Sequence, residues 1–354
     1  MSEGNLMGSR RSFNPDEFYS RQTVLRELGP EGQQRLRDSS VVIVGLGGLG
    51  SISALYLALA GVGHLRIVDQ DTVELNNLHR QVLYTMDDLR HPKVEAAAER
   101  LRLVNPEVMI EPIPRNVRKS NIDETVKDMD CILDGLDNMH TRYLLNSASK
   151  KHNIPYVFGG AIGLEGNLSV FAPPKTPCLE CILPNLGNRH LPTCETRGVL
   201  GATPGIIGTM QAMETIKLLA GVAGSLKGKL LICDFRDMSF ATIDIFKRPN
   251  CPVCQGKIEK STEAAERLAW LCGRNTVNVN PPEPLNITLD DAYETLKRDF
   301  KILVKTSFVV VFEYNGSVEA SVFNGGRMLI KNVKDEKAAL DIYDAITQKL
   351  GAHS

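Results

Sequence analysis

Val41-Val42-Ile43-Val44-Gly45-Leu46-Gly47-Gly48-Leu49-Gly50 is an apolar run that breaks into a glycine-rich turn. Consecutive branched aliphatic residues suit a strand buried on both faces, as in a parallel sheet. Glycines directly after such a strand let the backbone approach a phosphate at the N-terminus of the next helix. A second strand over 64–68 then ends at Asp69, placed to accept hydrogen bonds from ribose hydroxyls. Gly45, Gly47, Gly48 and Gly50 with Asp69 therefore point to a nucleotide without saying which. A nicotinamide-dependent oxidoreductase satisfies the same fingerprint, and so does a tight strand–helix turn with no ligand.

The residues beyond Asp69 narrow the choice. Asn77-Leu78-His79-Arg80-Gln81 supplies two amides and a fixed cation, and Lys93 follows in His91-Pro92-Lys93. Each cation alone reads as a solvated surface charge. Together they suit a triphosphate, because a phosphoryl or adenylyl transfer must neutralise charge growing on phosphate oxygens. Asp134-Gly135-Leu136-Asp137-Asn138 follows another strand, at the sheet edge where doubly wound folds bind ligands. Asp137 there is a candidate for Mg²⁺. The plainer reading makes it a cap for a helix starting near Met139.

Strands and helices alternate around these motifs. Strands are expected at 41–44, 64–68, 109–113, 131–135 and 156–159, with helices at 51–60, 92–103, 123–127 and 139–151 between them. This is the pattern of an α/β, Rossmann-like, doubly wound and mostly parallel sheet. A helix over 203–220 and strands at 230–235 and 241–246 complete it. Composition shifts near Ser261. Helices at 263–272, 289–300 and 335–350 and strands at 309–314, 318–323 and 328–330 then predict a small C-terminal α+β domain. The expected division is 1–260 for the nucleotide-binding domain and 261–354 for the small one.

With 41 basic and 42 acidic side chains the net charge is −1, which predicts no nucleic-acid and no membrane partner. No apolar run reaches the roughly 18 residues of a spanning helix, and a cytoplasmic location follows by default. Of eight cysteines, Cys178/Cys181 and Cys251/Cys254 form two C-x-x-C pairs. Four thiolates suit a closed tetrahedral zinc site. Two redox pairs are the competing reading, but a thioredoxin-like context is missing. Cys131 and Cys233 lie in apolar runs and are expected to be buried. Cys194 stands in the polar loop Leu191–Gly198 near Arg197, where it is either a nucleophile or incidental.

These motifs together resemble the ThiF/MoeB/HesA-type adenylyltransferases, the ubiquitin-activating-enzyme-like family that activates ubiquitin-like and sulfur-carrier proteins. The resemblance runs from Phe18 to Gln255. It rests on Tyr19-Ser20-Arg21-Gln22, Gly45-x-Gly47-Gly48-x-Gly50, Asp69 to Gln81, Pro92-Lys93, Asp137-Asn138 and both cysteine pairs, in that order. It implies ATP at the glycines, Asp69 on the ribose, and Asn77, Arg80, Gln81 and Lys93 around the phosphates. It further implies Asp137 on Mg²⁺ and Zn²⁺ on Cys178, Cys181, Cys251 and Cys254. Arg21 matches an arginine that enters the neighbouring subunit's site, which implies a homodimer. Cys194 matches a reactive-cysteine position. The implied reaction adenylates the C-terminal glycine of a small carrier ending Gly-Gly, with thioester or persulfide transfer through Cys194 to follow. A conjugating enzyme or a sulfur donor would then be a further partner. A non-catalytic nucleotide-binding scaffold remains as an alternative. The C-terminal residues lack the active cysteine loop of a rhodanese and suit either protein docking or dimerisation and stability.

Overall fold

A computed structural model describes residues 13–184, 186, 197–257, 267–271 and 275–351. Its first sheet holds β1 (Ser40–Val44), β2 (His64–Val68), β3 (Met109–Ile113), β4 (Cys131–Asp134), β5 (Tyr156–Ile162), β6 (Glu165–Phe171), β7 (Lys229–Asp234) and β8 (Ser239–Asp244). They lie in the order β3-β2-β1-β4-β5-β6-β7-β8. Pairing is parallel from β3 to β5 and antiparallel from β5 to β8. Val41, Val42 and Ile43 are fully buried, as the uninterrupted apolar run demands. Alternate residues of β1 join two cores on opposite sides of the sheet, Val41 and Ile43 in one and Val42 and Val44 in the other. The chain turns outward in both directions from β1, so a crevice opens between β1 and β4 at their carboxyl ends.

The second sheet is antiparallel throughout, in the order β11-β12-β13-β14-β10-β9. Its strands are β9 (Leu268–Leu271), β10 (Thr276–Val279), β11 (Lys301–Lys305), β12 (Val309–Asn315), β13 (Val318–Phe323) and β14 (Met328–Lys331). Helices Leu289–Leu296 and Glu336–Lys349 cover one face, where Val310, Phe312, Ala320, Val322 and Ile330 join their apolar side chains. Val309, Val311, Phe323 and Leu329, one residue out of phase, form a separate buried cluster on the other face.

Three readings of the sequence change here. The helix expected at 263–272 is, over Leu268–Leu271, the strand β9, because Thr276–Val279 offers it an antiparallel partner. β6, β10 and β11 were not anticipated. Tyr156–Ile162 also runs three residues beyond the expected strand, since β6 pairs with its whole length. Among the described residues no helix is long and apolar enough to cross a membrane.

Candidate functional site

A cavity of about 760 Å³ lies at the carboxyl ends of β1, β2 and β4, within the usual range for a small-molecule site. Gly45, Gly47, Gly48, Asp69, Asn77, Arg80, Gln81, Lys93 and Asp137 all line it. Five segments, separate in sequence, bring them together. Gly45 has φ +90°, and a Cβ there would sit 2.7 Å from the Gly135 carbonyl oxygen, so only glycine closes this turn. Gly47 caps the helix Gly48–Ala60 with no side chain in the way, leaving the first-turn amides to the cavity. Gly50 is different. It is absent from the lining, and a Cβ on it would meet the Gly45 oxygen at 1.8 Å, so it lets the helix pack on the turn.

Asp69 is anchored by backbone: Leu46 N–H donates to Oδ2 at 2.7 Å and Asp71 N–H to Oδ1 at 2.8 Å. Burial pushes its pKa up, while Lys93 and those two amides pull it down. Lys93 is buried and its Nζ lies 3.1 Å from Asp71 Oδ2. Burial opposes its charge, but Asp71 and Asp69 outweigh that and hold the pKa above the ordinary lysine value. Asn77 Oδ1 accepts the Glu74 N–H at 3.2 Å, and Arg80 donates to the Asn76 carbonyl at 2.6 Å. Gln81 Oε1 and Asp71 Oδ1 are buried with no hydrogen-bond partner among the described residues, as polar atoms facing a ligand site would be.

The two acids after β4 separate cleanly. Asp134 is fully buried, 3.1 Å from Arg142 Nε, and accepts the Tyr156 hydroxyl at 2.6 Å. It positions Arg142, whose guanidinium also donates to the Leu136 and Gly159 carbonyls and lines the cavity. Asp137 is exposed to the cavity, because the capping role falls to Asn138, whose Oδ1 accepts the Thr141 N–H at 3.0 Å. Arg142 was missed in the sequence reading, since its value lies in a fold-dependent contact with Asp134.

The four cysteines converge. Sγ–Sγ separations are 3.8 Å for Cys178–Cys181 and 3.6 Å for Cys178–Cys251, Cys181–Cys254 and Cys178–Cys254. A tetrahedron with Zn–S bonds of about 2.3 Å has sulfur–sulfur edges of about 3.8 Å, so the donor set fits zinc. Cys131 and Cys233 are buried, as expected. Arg21 is exposed and does not line the cavity of its own chain. Cys194 lies outside the described residues.

Known proteins resemble this chain in sequence and in fold. The ThiF family model matches residues 19–253. The chain is 45% identical over 237 residues to the SAMP-activating enzyme E1 of Haloferax volcanii, covering 67% of this chain and 87% of that protein. It is 40% identical over 242 residues to the sulfur carrier protein adenylyltransferase of Thermus thermophilus, covering 67% and 89%. The crystal structure of E. coli MccB with ATP superposes with a TM-score of 0.57 at 24% identity, over 63% of this chain and 69% of that one. That last likeness concerns the fold.

Proposed function

Because the chain belongs to the ThiF family, we propose that it uses ATP to adenylate the C-terminal glycine of a small ubiquitin-like or sulfur-carrier protein. The observation that carries this reading is the convergence of glycine amides, Asp69, three polar residues of 77–81, Lys93 and Asp137 on one cavity. A carboxylate oxygen of the carrier attacks the α-phosphorus, the bond from that phosphorus to the bridging oxygen breaks, and pyrophosphate leaves with the electron pair. No protein nucleophile is needed, so positioning and charge neutralisation carry the step.

Asp69 accepts from the ribose hydroxyls, and the Gly47–Leu49 turn offers its amides to phosphate. Lys93 and Arg80 balance phosphate charge, with Asn77 and Gln81 donating alongside. Asp137 would hold Mg²⁺, which when bound supplies further positive charge there. Cys178, Cys181, Cys251 and Cys254 would hold a structural Zn²⁺ that ties the segment after β6 to the segment after β8. Exposed Arg21 reaches into the cavity of a second copy in a homodimer. β6 lines the cavity through Glu165 and Asn167, and β7 and β8 continue it to an edge where Phe240, Ile243 and Phe246 are exposed. We place the body of the carrier on that apolar edge. Cys194 is proposed for onward thioester or persulfide transfer, to a conjugating enzyme or from a sulfur donor. The cytoplasm is its proposed location. The relatives do not favour a nicotinamide-dependent reaction.

The test is pyrophosphate exchange into ATP. Exchange should require a carrier with a free C-terminal Gly-Gly and fall by about 10²- to 10³-fold in Arg80→Ala, Lys93→Ala and Asp137→Ala. Wild-type exchange in all three variants would sink the site assignment. A carrier adduct that is cleaved by thiols and lost in Cys194→Ser would establish the onward step.

A further inference from the structure

The second sheet does not merely follow the nucleotide-binding part in sequence; it lies against it. On the face away from its helices, Arg327 Nη1 donates to the Gln70 carbonyl at 3.1 Å and Nη2 to the Pro114 carbonyl at 3.0 Å. Gln70 lies two residues past the end of β2 and Pro114 directly past the end of β3, so one guanidinium bridges two neighbouring strand ends. Asn278 Oδ1, 2.7 Å from Nη1, and the Phe323 ring, 3.5 Å away, fix its position from its own sheet. Four residues on, Lys331 Nζ lies 2.9 Å from Thr72 Oγ1 and 3.0 Å from Glu74. The segment 69–74 is thus held by Lys93 on one side and by Arg327 and Lys331 on the other. Thr276, Leu329 and Lys331 line the same cavity as Asp69.

Arg327 is buried, and burial works against its charge while Asp71 and Asp69 favour it. Its charge therefore belongs to the same cluster as Lys93. Arginine suits this task because its rigid planar fork aims separate nitrogens at two acceptors in a fixed geometry, where a lysine offers a single nitrogen.

We propose that the C-terminal sheet is a working part of the nucleotide site, with Arg327 as a positioning residue that sets the β2 and β3 strand ends and, through them, Asp69. The inference rests on the adenylation reading but adds to it, since Arg327 and Lys331 lie beyond the family match at 19–253. Arg327 touches no reacting atom. Its contribution is to ATP affinity, not to the rate of the bound complex.

The decisive experiment measures ATP dissociation constants calorimetrically in the full-length protein, with KM and kcat from carrier-dependent exchange and thermal unfolding in parallel. Arg327→Met should weaken ATP binding and raise KM for ATP by about tenfold with kcat within about twofold of wild type. Arg327→Lys should restore only part of that loss. Lys331→Met, a second route to the same segment, should shift KM in the same direction by less. Wild-type ATP affinity in a folded Arg327→Met, or a fall in kcat with KM unchanged, overturns the inference. If Arg327→Met does not fold, full ATP affinity in both Arg327→Lys and Lys331→Met overturns it equally. Failure of the wild type to bind ATP would instead strike the adenylation reading.

Discussion

In the first sheet the cavity residues sit just past strand ends: the glycine turn after β1, Asp69 after β2 and Asp137 after β4. In the second sheet the residues that reach the cavity or its walls sit on a face: Thr276, Asn278, Glu319, Leu329 and Lys331 alternate with core residues along β10, β13 and β14. The difference follows from topology. Parallel strands joined by crossovers have helices on both faces, so only the ends stay open for chemistry. An antiparallel sheet needs helices on one face alone, and its other face is free to lie on a neighbour. On the proposed reading, one sheet supplies the groups that meet ATP and the other supplies bracing.

The largest expected effect tests what holds the first sheet's antiparallel end. β8 is exposed along its whole length, so burial alone does little to fix it. Cys251→Ser should abolish a full equivalent of bound zinc and lower the unfolding temperature markedly. Zinc binding to small thiolate sites is worth about 10 kcal/mol or more of folding free energy, and losing one ligand forfeits several of them. Full zinc content and an unchanged transition in the variant would mean that packing holds this end after all. The second sheet relies on its core instead. Phe312 is fully buried on the helix face with its ring 5.1 Å from Phe300. Phe312→Ala should cost about 3–5 kcal/mol in chemical denaturation. ATP affinity of the folded protein should not move, because Arg327 and Lys331 occupy the opposite face. A matching loss of affinity would break the separation of the two faces.

The same contrast explains what was legible in the sequence. β1 is a continuous apolar run and β2, β3 and β4 are mostly apolar segments between turns, and the glycine turn, Asp69 and Asp137 fall within a few positions of strand ends. Local pattern was enough there. Gly166, Asn167 and Ser169 interrupt β6, which is a strand only because β5 and β7 flank it. Leu268-Ala269-Trp270-Leu271 carries helix-forming residues, and its pairing with Thr276–Val279 overrides that propensity. Lys301–Lys305 is an edge strand with charged ends, which a reading for apolar runs passes over. Arg327 and Lys331 could not be found at all by spacing, since their partners lie some 210 to 260 residues earlier. Gly50 shows the reverse case: it belongs to the motif but lies outside the cavity lining, where it lets the helix pack on the turn.

Smaller effects sharpen the division further. Asp69→Asn keeps the size of the side chain and removes its charge. Hydrogen bonds to a charged group are worth about 1.5–3 kcal/mol, so ATP affinity should fall by about 10- to 100-fold in calorimetry. The fold should lose about 1–3 kcal/mol as well, because one of the two oxygens that accept the Leu46 and Asp71 N–H groups becomes an NH2 donor, so the titration is run where both proteins are folded. Unchanged affinity would remove Asp69 from the ribose site. Asp335→Ala supplies the counterpart in the second sheet's layer. Asp335 caps the last helix, its side chain accepting the Ala338 N–H at 2.8 Å. Losing that cap should cost about 1 kcal/mol of stability. Asp335 makes no contact with the seam, so the ATP dissociation constant should match wild type in a titration at a temperature where both proteins are folded. A weaker constant would show that the second sheet acts on the cavity through its overall stability. An equal one, set beside a tenfold loss in Arg327→Met, confines its influence to the residues that touch Gln70, Thr72 and Pro114.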